Sequence, residues 1–537
     1  GKNIEVTVDL DRPIPQEFIG KVGFNLEFFP GSLFGKPWIM DGQSGIFPQQ
    51  PNSPLMTTQP NYLHTGNYHD GKKSLADMDK LIGKGYSPIV ADDIISEPYA
   101  KGTKFTSRPD DPYNKVTIES LSGDLQLFDG RMNHNNGWFV LRSNIKPGVT
   151  KGAVKWIITP NVVADWMYQP VIQTSQIGYH PTQDKEAVIE MDIRDNRKET
   201  AQIIRIDADG EKVVKNVTPA NWGKFLRYNY LKVNFTDVKE PGLYKIKYNT
   251  SVSPIFRIDN DVYARGVWQP VLEYFLPVQM CHMRVNEKYR VWHDCCHMDD
   301  AQMAPAHNHI DGYDQKEGLS KFKPGEVVPG VNIGGWHDAG DFDLRIESQA
   351  GESYILALAY EAFHPNLDVT SIDQINRVTE IHQPDGKNDL LQQVENGALT
   401  VVNGYLALGR LYRGIICNDL RQYVLLGDAA AMTDGKIGNE DDRWIFTEDN
   451  PGRELSTAAQ LAAVSRVLKG FNDTLSVHCL DIARKVYAST GSGNNRALFP
   501  KVQAAVELYL TTGEQPYMDF ILDNQELIIK QIGRIGW

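Results

Sequence analysis

The chain has 537 residues, 41% hydrophobic and 23% charged, the composition of a globular protein too long for one ordinary core, so about two to four domains are expected. A net charge of -13 argues against nucleic acid or an anionic membrane surface as partner. No apolar run reaches the ~18 residues of a membrane span, and the opening Gly1-Lys2-Asn3 reads as a mature or trimmed start that leaves the compartment open.

Residues 1–170 read as β-structure. Short β-branched runs such as Ile4-Glu5-Val6-Thr7-Val8 and Trp138-Phe139-Val140-Leu141 are split by Pro, Gly and Asn clusters. Residues 25–70 lack periodicity and predict a long ordered loop decorating a sandwich, and Asn133 to Trp138 predicts a turn. Trp38 and Trp138 are open to two readings, core packing or stacking on a sugar. Residues 171–258 carry several short alternating strands at about ten-residue spacing, the pattern of an immunoglobulin-like sandwich.

Near residue 260 the period changes from two to 3.6. Helices are expected over 262–283, 346–363, 390–411, 455–468, 474–487, 496–510 and 517–532, with Pro270 and Pro277 starting or kinking the first. The reading is two all-β sandwiches followed by an essentially all-α region of about seven helices.

The five cysteines all lie at or after Cys281, three of them within sixteen positions beside several histidines, a grouping that suits metal better than disulfides. Cys281, Cys296, His297 and His337 would make a Cys2His2 zinc site tying a helix end to a loop; buried reduced thiols with hydrogen-bonded histidines are the other reading. His282, His293, Cys295, His307 and His309 are further candidates. His337 opens the densest stretch of chemistry, Gly334-Gly335-Trp336-His337-Asp338-Ala339-Gly340-Asp341. Asp338 and Asp341 either cap the helix that follows or form a carboxylate pair whose mutual repulsion separates their pKa values for acid/base work. No serine-nucleophile elbow and no phosphate-cradling loop is present.

Four segments together resemble glycoside hydrolase family 9: Ser175-Gln176-Ile177-Gly178-Tyr179-His180-Pro181, Cys296-His297-Met298-Asp299-Asp300-Ala301, Gly335 to Asp341, and Asp385 to Gly397. The resemblance covers roughly 171–537 and implies an (α/α)6-barrel catalytic domain at 259–537, preceded by an immunoglobulin-like module at 171–258. Residues 1–170 resemble an extra β-sandwich, carbohydrate-binding in type. It further implies inverting hydrolysis of β-1,4-glucan, with Asp341 as base, Asp338 holding the same water, and a structural zinc on Cys281, Cys296, His297 and His337. Whether Cys295 or Cys296 binds stays open. Trp336, Trp292 and Trp444 are candidates for stacking glucosyl rings, and the Glu448 to Glu454 loop for calcium. The family's acid is a late Glu on a barrel of about twelve helices, so the acid is expected outside this chain, with a C-terminal fragment completing the barrel. A non-catalytic glucan-binding protein is the alternative. The polymer substrate implies a secreted, periplasmic or cell-surface location.

Overall fold

The computed structural model describes residues 3–20, 22–51, 57–58, 94–95, 97–132, 137–305, 307–308, 314–315, 318–339, 342–417, 435–438, 442–491 and 495–535. The first unit is a β-sandwich. A six-stranded antiparallel sheet, in the order 4–8, 154–160, 116–120, 104–107, 37–40 and 43–46, faces a four-stranded sheet of 23–28, 139–144, 125–129 and 100–102. Alternation of apolar and polar residues gives each strand one buried face, and Trp38, Phe47, Phe105, Phe139 and Trp156 fill the space between. The loop expected over 25–70 is corrected in part: 23–28, 37–40 and 43–46 are strands. Their register comes from partners far along the chain, such as Phe28 opposite Phe139, and local periodicity cannot reveal that. Trp38 is a core residue, its ring lying where Gly45 leaves no room for a Cβ. Trp138 packs on Phe29 instead, with ring centroids 5.6 Å apart. Positions 133–136 of the expected turn lie outside the described residues.

The second unit packs a sheet of 171–173, 186–192, 228–234 and 220–225 against one of 210–217, 201–207, 242–248 and 251–252. Residues 256–258 pair with 242–248. Its core is Ile189, Met191, Ile203, Leu231, Val233, Phe235, Tyr244 and Ile246.

Eight α-helices follow among the described residues: α1 Gln269–Gln279, α2 Ile346–Phe363, α3 Asp389–Leu408, α4 Pro451–Leu468, α5 Asp473–Ser489, α6 Asn495–Thr512, α7 Gln515–Asp523 and α8 Gln525–Ile535. Asn caps α3, α4 and α5, each side-chain oxygen accepting backbone N–H bonds of the first turn. Gly409 ends α3 at φ 76°, a left-handed stop that a glycine takes without strain. α4 lies against α2, α5 and α6, and α3 packs on α2 and, less extensively, on α5 and α4. These helices share the core of Val394, Val401, Leu461, Val464, Ile482 and Leu508.

Two expectations fail here. The helix over 262–283 shrinks to α1, because Pro270 sits at its first turn and the backbone turns extended at Met280. Nor is the region essentially all-α. Strands 284–287, 290–293, 370–373 and 378–381 form one small sheet, and 302–303, 344–345, 414–416 and 444–446 another. These strands are two to four residues long and pair across gaps of up to about 140 positions, such as Gln302 with Trp444, so no local period announces them.

Candidate active-site loop and metal cluster

Residues 334–339 lie between the end of α1 and the first turns of α3, held by backbone bonds on both sides. The Cys281 N–H donates to the Gly335 carbonyl at 3.0 Å, and His337 N–H to the Gln279 carbonyl at 2.7 Å. Gln279 returns a side-chain bond to the His337 carbonyl at 2.8 Å. Gln349 of α2 clamps Trp336 twice, accepting from its N–H and donating to its carbonyl, both at 2.8 Å. Two glycines permit this closeness. Gly334 has φ +65° and a Cβ there would stand 2.2 Å from the Asn396 carbonyl; one on Gly397 would stand 2.3 Å from the Trp336 ring.

Behind the loop, Cys281, Cys296, His297 and His337 are all buried, and their ligand atoms lie within 4.8 Å of one another. Sγ to Sγ is 3.9 Å, Cys281 Sγ to His297 Nδ1 is 3.9 Å, and Cys296 Sγ to His337 Nε2 is 3.6 Å. Two sulfurs and two imidazole nitrogens so spaced can surround a metal ion, with edges close to those of a tetrahedron at metal–ligand lengths of about 2.0–2.3 Å. Electrostatics prepares the set. Burial would raise the Cys281 thiol, but donation from Cys296 and the charge of Arg443 outweigh it and hold it well below the usual thiol range. The hydrogen bond to Cys281, then burial, push Cys296 well above that range. Burial lowers His337, and lowers His297 to about 3, so the imidazoles stay neutral and able to ligate. Cys295 sits half-buried with its sulfur 3.9 Å from the Arg377 carbonyl, apart from the set, so Cys296 is the member. His282 bonds the Gly334 carbonyl at 2.8 Å and His293 the Asp294 carbonyl at 2.9 Å; neither joins the cluster. The His307 and His309 side chains lie outside the described residues.

Arg443 was not anticipated from the sequence. Fully buried, it donates to Cys281 Sγ at 3.4 Å, to the Phe342 carbonyl and to the Asp300 carboxylate. It thereby links the thiolate to the chain just past Asp341. Burial pushes Asp300 up to about 6 even against the pull of Arg443. Asp299, Asp300 and Asp442 form a second buried group of oxygens, with Asp300 already engaged by Arg443.

Asp338 faces Arg345 at 3.4 Å, and Arg345 also holds Asp343 at 3.1 Å. Asp341 and Gly340 lie outside the described residues. Glu352, one turn beyond Gln349 on α2, was also missed. It lines an apolar groove of about 390 Å³ with Trp268, Leu272, Phe275, Trp336 and Leu390. Burial and then the charge of Asp338 push it up to about 7.

The three tryptophans fare differently. Trp336 is 2% exposed, with one edge of its ring packed on Gly397 beside the groove that it lines. Trp444 is half-buried against Ala304, Ile416 and Phe446. Trp292 is 41% exposed on strand 290–293, with the Arg290 guanidinium 4.8 Å over its ring and its N–H donated to Glu287. In the loop suggested for calcium, Glu448 pairs with Arg453 and Glu454 with Arg410.

Residues 271–535 match the model of glycosyl hydrolase family 9, and residues 167–253 that of the cellulase N-terminal ig-like domain. A xyloglucan-specific endo-beta-1,4-glucanase of Bacteroides ovatus is 25% identical over 369 residues, 65% of this chain and 58% of that protein. Endoglucanase D of Acetivibrio thermocellus is 19% identical over 378 residues, 66% of this chain and 54% of that protein. The chain thus spans little more than half the length of the curated relatives it matches. The crystal structure of a metagenome-derived glycoside hydrolase family 9 endoglucanase is 21% identical, covers 67% of this chain and 64% of its own, and has a TM-score of 0.49.

Proposed function

Since residues 271–535 belong to glycosyl hydrolase family 9, we propose that the whole protein is an enzyme that cleaves β-1,4-linked glucan with inversion, on an (α/α)6 barrel. Cellulose, mixed-linkage glucan and xyloglucan are the substrate types. Inversion needs a carboxylate that activates water on one face of the sugar and a carboxylic acid across it, roughly 6.5–9.5 Å away, that protonates the leaving oxygen. Asp341 is the base. Asp338 orients the same water, and Arg345 at 3.4 Å offsets part of its charge. The observation that carries the reading is the fastening of the loop before Asp341 to a buried Cys2His2 set. The donor set suits zinc, which would order the loop from behind without touching substrate. A polymer substrate places the protein outside the cytoplasm: secreted, periplasmic or on the cell surface.

The test is Asp341→Asn in the complete protein. Reducing-sugar release from xyloglucan or carboxymethylcellulose should fall by at least about a hundredfold, the usual contribution of a general base, with the circular dichroism spectrum unchanged. Turnover near the parent's rate would remove Asp341 as base. For zinc, chelation should remove about one equivalent and unfold the helical region with it; loss of activity with the fold intact would make the metal catalytic instead.

A further inference from the structure

The outer face of the immunoglobulin-like unit carries a feature that the hydrolytic site does not use. Strand 228–234 turns Leu231 and Val233 inward to the core and Tyr228 and Tyr230 outward. On the neighbouring strand Glu190 stands directly opposite Tyr230. Its carboxylate accepts from the Tyr230 hydroxyl at 3.1 Å and from the Tyr168 hydroxyl at 2.9 Å. A bulge between Asn221 and Gly223 displaces Trp222 onto the same face. Five rings then run in unbroken contact: Trp166 to Tyr168 at 6.4 Å, Tyr168 to Tyr228 at 5.2 Å, Tyr228 to Tyr230 at 6.1 Å, and Tyr230 to Trp222 at 5.6 Å between centroids. The end residues are 47% and 55% exposed, and the three tyrosines are half-buried. The sheet's other face already holds the core, so packing does not require this row. A surface row of aromatic rings that the core does not use, open at both ends, marks a contact site.

We propose that this row binds a single soluble β-glucan chain. A pyranose ring has an apolar C–H face that packs on an aromatic ring and a hydroxyl rim that bonds to carboxylates and phenols, and Tyr and Trp present both kinds of surface. Successive rings are tilted by 58° to 89°, so they make no flat plane for a crystalline array of chains but do form a ridged track for one chain. Glu190 pins two of the rings, which limits the side-chain ordering that binding would otherwise cost. Burial, then the hydrogen bond to Glu190, raise Tyr168 to about 12 and also raise Tyr230, so both phenols keep the protons that tie them to Glu190. The choice of β-glucan rests on the hydrolase reading; the binding track itself does not.

The test is native affinity electrophoresis of the complete protein carrying Asp341→Asn, in gels containing xyloglucan or hydroxyethylcellulose. The parent should be retarded, and Trp166→Ala with Trp222→Ala should lose at least tenfold in apparent affinity, with an unchanged melting temperature as the check on folding. Trp222→Phe should retain most of the binding and Trp222→Leu should not, which separates ring chemistry from bulk. Equal retardation of parent and variants, or none in either, overturns the proposal. So does a variant that changes only the monomer–dimer balance in size-exclusion chromatography, which would make the face a contact between copies. Retardation through Trp222 beside a complete protein that cleaves no glucan would sink the hydrolase reading and leave the track standing. Cleavage with unaltered retardation in the variants would do the reverse.

Discussion

The buried cysteine and histidine cluster and the aromatic row handle their polar groups in opposite ways. At the cluster, two thiols, two imidazoles, a guanidinium and a carboxylate are all buried, and each is intelligible only through the others. On the immunoglobulin-like face, Glu190 and its tyrosines sit at the surface over an apolar core that is complete without them. The difference teaches where function and stability are coupled. Where desolvated groups neutralise one another, removing one leaves the rest uncompensated; where water can replace a lost partner, only the ligand contact is lost.

The largest expected break in that contrast comes at the cluster. His337→Ala or Cys296→Ser should destabilise the helical region by at least about 3 kcal/mol, as measured by urea unfolding, because buried polar groups lose their partners. A change below 1 kcal/mol would place the cluster outside the stabilising machinery. Gly397→Ala comes next. Its Cβ would lie 2.3 Å from the Trp336 ring and 2.2 Å from Ser353 Oγ, and overpacking of this kind costs about 1–3 kcal/mol. The same denaturation midpoint reads it.

Glu352 sharpens the comparison through pH. Its folded-state value is raised to about 7 against an ordinary 4.5. A carboxyl raised on folding stabilises fully below its unfolded value, and that contribution is lost as pH rises through the folded one. Melting temperature should therefore fall between about pH 4.5 and 7 by an amount that Glu352→Gln abolishes; equal pH slopes in the two proteins would refute the assignment. The smallest effect belongs to the exposed face. Trp222→Ala should change stability by no more than about 0.5 kcal/mol, and a larger loss would mean that the row is structural.

Much of the fold was legible because burial imposes a period. α5 keeps one buried side at Leu475, Cys479, Ile482, Ala483 and Val486, whereas α4 is buried around most of its circumference; the starts of α3, α4 and α5 are marked where Asn388, Asn450 and Asn472 stand as caps. Within the site, Cys281, Cys296, His297 and His337 were legible by residue type, since few other roles gather soft thiols and imidazoles beside one loop. Arg443 and Glu352 were not. An arginine on a short strand and a glutamate on an amphipathic helix look solvated until the packing around them is known. The packing of Trp336 was equally hidden: only the folded chain shows that Gly397 opposite it makes room for the ring.

The sequence by itself determined the order of the units, the change from strand to helix near residue 260, and the residue types gathered in the thiol and imidazole cluster, because these depend on local periodicity and on the chemistry of single residues. Only the tertiary structure decided that Cys296 rather than Cys295 joins the cluster, that two small sheets interrupt the helices, and that five aromatic residues drawn from 166–168 and 222–230 form one row. Each of these depends on which backbone groups find partners across tens to more than a hundred positions. Those pairings are set by burial and hydrogen-bond satisfaction over the whole fold, and no window of sequence contains them.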